Sequence, residues 1–146
     1  MAKGEGLNAD MISRLIDRAI EGMSYAYTPY SGFRVCAALL TESGEIYTGC
    51  NIENAAYTPT NCAERTAFFK AVSEGERHFA AICIVGGKDG KLADYTSPCG
   101  VCRQVMMEFC EPEQFKIILA ISREEYRIYT LKELLPEGFG PARLAR

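Results

Sequence analysis

Seven consecutive residues, Phe79-Ala80-Ala81-Ile82-Cys83-Ile84-Val85, carry no polar side chain. A strand with one wet face alternates apolar and polar residues, whereas an unbroken apolar run is the kind covered on both faces. The chain therefore needs helices above and below a sheet. Asn8 can cap the first, with Met11, Ile12, Leu15, Ile16, Ala19, Ile20 and Met23 on one stripe and Asp10, Arg14, Asp17, Arg18 and Glu21 opposite. Further helices are expected at 61–72 and 99–110, with a last turn at 131–135. Strands are expected at 33–40, 46–52, 79–85, 115–121 and 126–129, the first two joined as a hairpin through Glu42-Ser43-Gly44-Glu45. This order, α-β-β-α-β-α-β-β-α, predicts a three-layer α/β/α sandwich around a mixed, mostly parallel five-stranded sheet. Helix–strand alternation after the hairpin is what implies parallel neighbours with right-handed crossovers. The sequence reads as one domain over residues 1–146, with 1–7 a flexible N-terminal extension.

The 146 residues, 48% apolar and 24% charged, suit one globular core. No apolar run approaches the roughly 20 residues that cross a bilayer, and the N-terminus lacks a secretory apolar core. A soluble cytoplasmic protein without a membrane partner is expected. Net charge is −3, with acids and bases mixed along the chain. No Lys/Arg cluster is present to replace counterions on phosphates, so the charge argues against a nucleic-acid partner and for a small uncharged ligand.

Seven cysteines, an odd number without an export signal, read as thiols rather than a disulfide framework. Cys36 and Cys83 lie inside apolar strands and Cys110 closes a helical stripe, so all three are expected in the core. Cys50 ends the hairpin beside Asn51, in the core or near a pocket, with packing favoured. His78, among Glu74, Glu76 and Arg77, reads as a surface residue.

The remaining three stand in two segments that each begin a helix, Thr60-Asn61-Cys62-Ala63-Glu64-Arg65-Thr66 and Ser97-Pro98-Cys99-Gly100-Val101-Cys102-Arg103-Gln104. Cys99-x-x-Cys102 alone fits a redox pair as well as a metal grip. Cys62 adds a third soft ligand at a helix start, where backbone N–H groups and the helix dipole favour a thiolate. Three protein ligands with one open position is how catalytic zinc is held, the open position taking a water whose pKa the metal lowers. Glu64 is placed to exchange protons with that water. Three thiolates outweigh the charge of one zinc, and Arg65 beside them could withdraw the excess through hydrogen bonds.

The paired pattern, Cys62-Ala63-Glu64 with Pro98-Cys99-Gly100-Val101-Cys102, resembles the zinc nucleoside and nucleobase deaminases. Asn51-Ile52-Glu53-Asn54-Ala55-Ala56-Tyr57, Tyr27-Thr28-Pro29-Tyr30-Ser31-Gly32-Phe33 and Glu133-Leu134-Leu135-Pro136 extend the similarity to the small, homotetrameric cytidine deaminases, from Tyr25 to Phe139. The resemblance implies one Zn2+ per chain on Cys62, Cys99 and Cys102, with Glu64 as the catalytic acid and base. It implies that Phe33 packs on the pyrimidine, Asn51 and Glu53 bind the ribose 3′-hydroxyl, and Ala63 offers its N–H to the pyrimidine O2. Arg65 and Gln104 would support the metal ligands from behind, while Tyr57 and Phe139 would complete a neighbouring subunit's pocket in a homotetramer. Cys36 departs from the family, which commonly has glycine there. The implied reaction is hydrolytic deamination of cytidine and deoxycytidine in pyrimidine salvage. A cytosine antibiotic such as blasticidin is the nearest alternative substrate, and a structural zinc protein the alternative of another class.

Overall fold

The computed structural model describes residues 7–144. The expected N-terminal extension lies outside the described residues except for Leu7, which packs against the core. The elements are α1 (Ala9–Gly22), β1 (Phe33–Thr41), β2 (Ile46–Cys50), α2 (Ala63–Ser73), β3 (Phe79–Lys88), α3 (Gly100–Phe109), β4 (Lys116–Ala120), β5 (Tyr126–Thr130) and α4 (Leu131–Leu134), with single 3-10 turns at Met23–Tyr25 and Pro141–Leu144. Asn8 Oδ1 accepts from the Met11 N–H at 2.9 Å and so starts α1 as its sequence predicts. A capping box of Thr130 and Glu133 starts α4.

One sheet holds all five strands in the order β2-β1-β3-β4-β5. Residue alternation divides its three central strands between two cores. Val35, Ala37, Leu39, Ile82, Ile84, Ile117 and Leu119 face Ala63, Ala67, Phe68 and Ala71 of α2 and Met106 and Met107 of α3. Cys36, Ala38, Leu40, Ala81, Cys83, Val85, Ile118 and Ala120 face Met11, Ile12, Leu15, Ile16 and Ala19 of α1. Strand β3 is apolar throughout because it lies in the middle of both. Each fully buried Leu, Ile or Phe contributes roughly 1.5–3 kcal/mol of apolar burial. Cys36 is accommodated because its sulfur lies against Gly22, where even a Cβ would come within 2.4 Å of it.

The sheet is mixed and five-stranded, but its neighbours are not mostly parallel. Only β3 and β4 pair in parallel; β1–β2, β1–β3 and β4–β5 are antiparallel. The α2 crossover does connect strands of like direction, β2 and β3, but β1 lies between them. After β4 a tight turn lays β5 back alongside it. Only the α3 crossover joins adjacent parallel strands. No helix among the described residues is long and apolar enough to cross a membrane.

These directions set the site. The ends of β2 and β3, the start of β1 and the N-termini of α2 and α3 gather at one end of the strands. Phe33 pairs with Lys88 there, and the Asn51 N–H donates to the Val35 carbonyl at 3.1 Å.

Candidate active site

Cys62 and Cys99 are themselves the N-cap residues of α2 and α3, and Cys102 lies in the first turn of α3. The turn before α2 is held by Ile52, which exchanges backbone hydrogen bonds with Asn61 at 3.0 Å each way. Thr66 ties the start of α2 together, accepting from Asn61 Nδ2 at 3.1 Å and donating to the Cys62 carbonyl at 3.2 Å. The three sulfurs form one cluster: Cys62 to Cys99 is 3.8 Å, Cys99 to Cys102 is 3.4 Å, and all lie within 4.8 Å of one another. Thiolates on a tetrahedral zinc stand about 3.8 Å apart, given a Zn–S bond near 2.3 Å. Spacing, donor type and the two helix N-termini all suit zinc, and three ligands leave one coordination position free for chemistry.

A hydrogen bond with Cys102 pulls the Cys62 thiol well below its ordinary value, and Arg65 adds to the effect. Cys102 is pushed up in turn, because it keeps the shared proton. Arg65 Nη2 donates to Cys62 Sγ at 3.4 Å, and Cys102 is its other sulfur neighbour, while its Nε is buried with no hydrogen-bond partner among the described residues. Such outer contacts draw charge from thiolates and fix their direction.

Glu64 is 4% exposed, one of two buried polar or charged residues among those described. Burial pushes its carboxyl up to about 7, and the negative Cys62 adds in the same direction. A carboxyl that binds and releases a proton near neutrality is suited to general acid–base work.

Phe33, Asn51 and Glu53 are brought together by the 30–35 segment. Asn51 Nδ2 donates to the Phe33 carbonyl at 2.8 Å and its Oδ1 accepts from the Val35 N–H at 3.0 Å. Glu53 Oε1 accepts from the Tyr30 and Ser31 N–H groups at 3.0 and 3.1 Å, and Oε2 from the Ser31 hydroxyl. That hydroxyl bond, aided by the two N–H groups, holds the Glu53 carboxyl below its usual range. Ala63 opens α2, so its N–H is among the donors a helix leaves without an internal acceptor. Tyr57 and Phe139 are both exposed, and the Tyr57 and Tyr30 rings meet edge to face. Gln104, expected behind the metal ligands, instead donates to the Phe139 carbonyl at 2.8 Å. Two positions past Cys102 lie about 200° around a helix, so Gln104 and Cys102 stand on different faces of α3.

Residues 10–118 match the family model for the cytidine and deoxycytidylate deaminase zinc-binding region. The chain belongs to this deaminase family. A cytidine deaminase of Sporosarcina psychrophila is 48% identical over 128 residues, covering 88% of this chain and 90% of its own. The crystal structure of the Burkholderia pseudomallei cytidine deaminase superposes with a TM-score of 0.78 at 43% identity, covering 86% of this chain and 97% of the other. That of the Mycobacterium tuberculosis enzyme gives 0.74 at 37% identity, covering 87% and 95%. Family membership and the three-sulfur cluster together fit one zinc per chain.

Arg103 of this deaminase has no role legible in the sequence, although it lies next to a ligand. Its side chain makes three hydrogen bonds around the loop that carries Cys99. An arginine one position beyond a metal ligand was the available signal.

Proposed function

We propose that this deaminase hydrolyses cytidine and deoxycytidine to uridine and deoxyuridine, releasing ammonia, as a step of pyrimidine salvage. The buried Glu64 carboxyl, two residues from a three-cysteine cluster, carries the proposal. Zinc on Cys62, Cys99 and Cys102 supplies the Lewis acidity that makes water a nucleophile near neutral pH. Glu64 takes a proton from the attacking water and delivers it to N3 of the ring. Hydroxyl adds at C4; Glu64 then takes the proton of that hydroxyl and passes it to the amino group, which leaves as ammonia while C4 becomes the carbonyl of uridine. The same carboxyl serves as base and acid, a role favoured by its elevated pKa.

Asn51 and Glu53 hold the ribose 3′-hydroxyl, Phe33 packs on the pyrimidine, and the Ala63 N–H meets O2. The grip of Tyr30 and Ser31 on Glu53 supports this reading, since it keeps the carboxylate ionised and fixed as an acceptor. The protein acts as one catalytic domain in a homotetramer, with Tyr57 and Phe139 reaching a neighbouring subunit's pocket. It works in the cytoplasm, a compartment that suits seven free thiols. Neither nucleic acid nor a membrane is a partner.

Loss of cytidine absorbance with matching ammonia release, compared across cytidine, deoxycytidine, CMP and blasticidin, tests the proposal. Both nucleosides should turn over, and CMP poorly, because Glu53 repels a phosphate near the sugar. Equal efficiency on CMP would overturn the sugar-site assignment, and preference for blasticidin the substrate.

A further inference from the structure

We propose that Arg103 is a positioning residue for the metal centre, clamping the segment that carries Cys99 between α3 and the end of α4. The approach to Cys99 from Asp94 to Pro98 contains no helix or strand, and Cys99 is the one exposed residue of the three cysteines. Such a ligand must be held by something other than a backbone ladder. Arg103 sits one helical turn past Cys99, its N–H donating to the Cys99 carbonyl at 3.0 Å. Its guanidinium folds back, with Nε donating to the Pro98 carbonyl at 2.8 Å and Nη2 to the Ser97 hydroxyl at 2.9 Å. Nη1 donates to the Leu134 carbonyl at the C-terminal end of α4. Carbonyls there have no partner within a helix and carry partial negative charge.

One planar group thus fixes the spacing of three acceptors from two parts of the chain. A guanidinium can do this because its donors are rigidly placed; a lysine ammonium, a single point charge, cannot. The neighbouring Gln104 holds the Phe139 carbonyl, so consecutive residues of α3 secure both ligand segment and C-terminal segment. The Tyr95 ring, earlier on the approach, lies under Arg127 of β5 at 4.1 Å. With the approach so held, Cys99 meets the metal already in place.

This inference rests on the three-thiolate centre and not on the choice of substrate. Its test is zinc release from the intact zinc-loaded protein to a colorimetric chelator, under reductant and without nucleoside. Arg103→Ala should release zinc about 10–100-fold faster, the usual loss when an outer contact of a metal site is removed. Ser97→Ala should move release the same way by less. Arg103→Lys should resemble the alanine variant, and in both kcat per bound zinc should fall while KM holds. Wild-type release from Arg103→Ala, or full rescue by lysine, overturns the clamp. Lower fold stability with unchanged release would make Arg103 merely structural and overturns it equally. If Arg103→Ala does not fold, wild-type release from both Arg103→Lys and Ser97→Ala overturns the clamp in its place. Failure here would leave nucleoside turnover untouched, so the two proposals fall separately.

Discussion

Glu64 occupies a place where an ionised carboxyl is costly: burial raises its pKa most, the backbone N–H, Cys102 and Arg65 relieve part of that cost, and the negative Cys62 adds to it. Glu64→Gln keeps the shape and removes the proton shuttle. It should bind a full complement of zinc yet lose about 10²–10⁴-fold in turnover, checked by metal content beside rate. Loss of the metal instead would make Glu64 structural. The same burial has a consequence for stability in zinc-stripped protein. The folded pKa, about 7, lies above the ordinary 4.5, so folding binds a proton between these values and stability falls as pH rises through that window. Glu64→Gln should therefore raise the thermal midpoint at pH 8 and leave it near wild type at pH 4; equal shifts at both would contradict charge burial. The convergence of Cys62, Cys99 and Cys102 was legible in the sequence because metal ligation demands particular atoms at short, fixed spacings. The contacts of Arg103 were not, since two of its three acceptors are backbone carbonyls, which any residue supplies. The bond from Gln104 to the Phe139 carbonyl was not legible either, since it joins residues 35 positions apart through a backbone acceptor.

The elements were legible from periodicity and caps, and their neighbours less so. The unbroken apolar run of β3 implied two covered faces, and both are covered. Pairing direction depends on where a crossover sets its strand down, and no local residue pattern records that α2 carries the chain past β1. Close packing of α2 on β2 depends on a missing side chain. A Cβ at Gly49 would stand 2.4 Å from the Ala67 backbone nitrogen and 2.9 Å from the Ala63 carbonyl oxygen. Backbone atoms cannot step aside as a side chain can. Gly49→Ala must lift the start of α2, which carries both Cys62 and Glu64. Overpacking of this kind costs about 1–3 kcal/mol. Chemical denaturation should show such a loss, and zinc should be held less firmly; unchanged stability would mean that α2 rides farther from the sheet.

At the scale of the whole molecule, the exposed aromatics need an explanation. Tyr25 is 81% exposed, Tyr57 74% and Phe139 58%, alongside Tyr27, Tyr30 and Phe33. Large exposed apolar side chains of this number point to surfaces that meet another molecule, and further copies of this chain are the proposed partners. Phe139 offers the sharpest test, because its backbone is anchored to Gln104 while the residue itself is exposed. If the ring completes a neighbour's site, Phe139→Ala should depress turnover without disturbing zinc on its own sulfurs. Glu64→Gln should be inactive for a different reason, with its Phe139 intact. Unfolding the two variants together and refolding them in equal amounts then separates action within a chain from action between chains. Random association places an intact Glu64 beside a neighbour's intact Phe139 in up to about a quarter of sites. Turnover above the sum of the separate parts, appearing only when size measurement shows mixed oligomers, is the expected outcome. Mixed oligomers no more active than that sum would place the work of Phe139 within its own subunit, and the pocket would then be complete in a single chain.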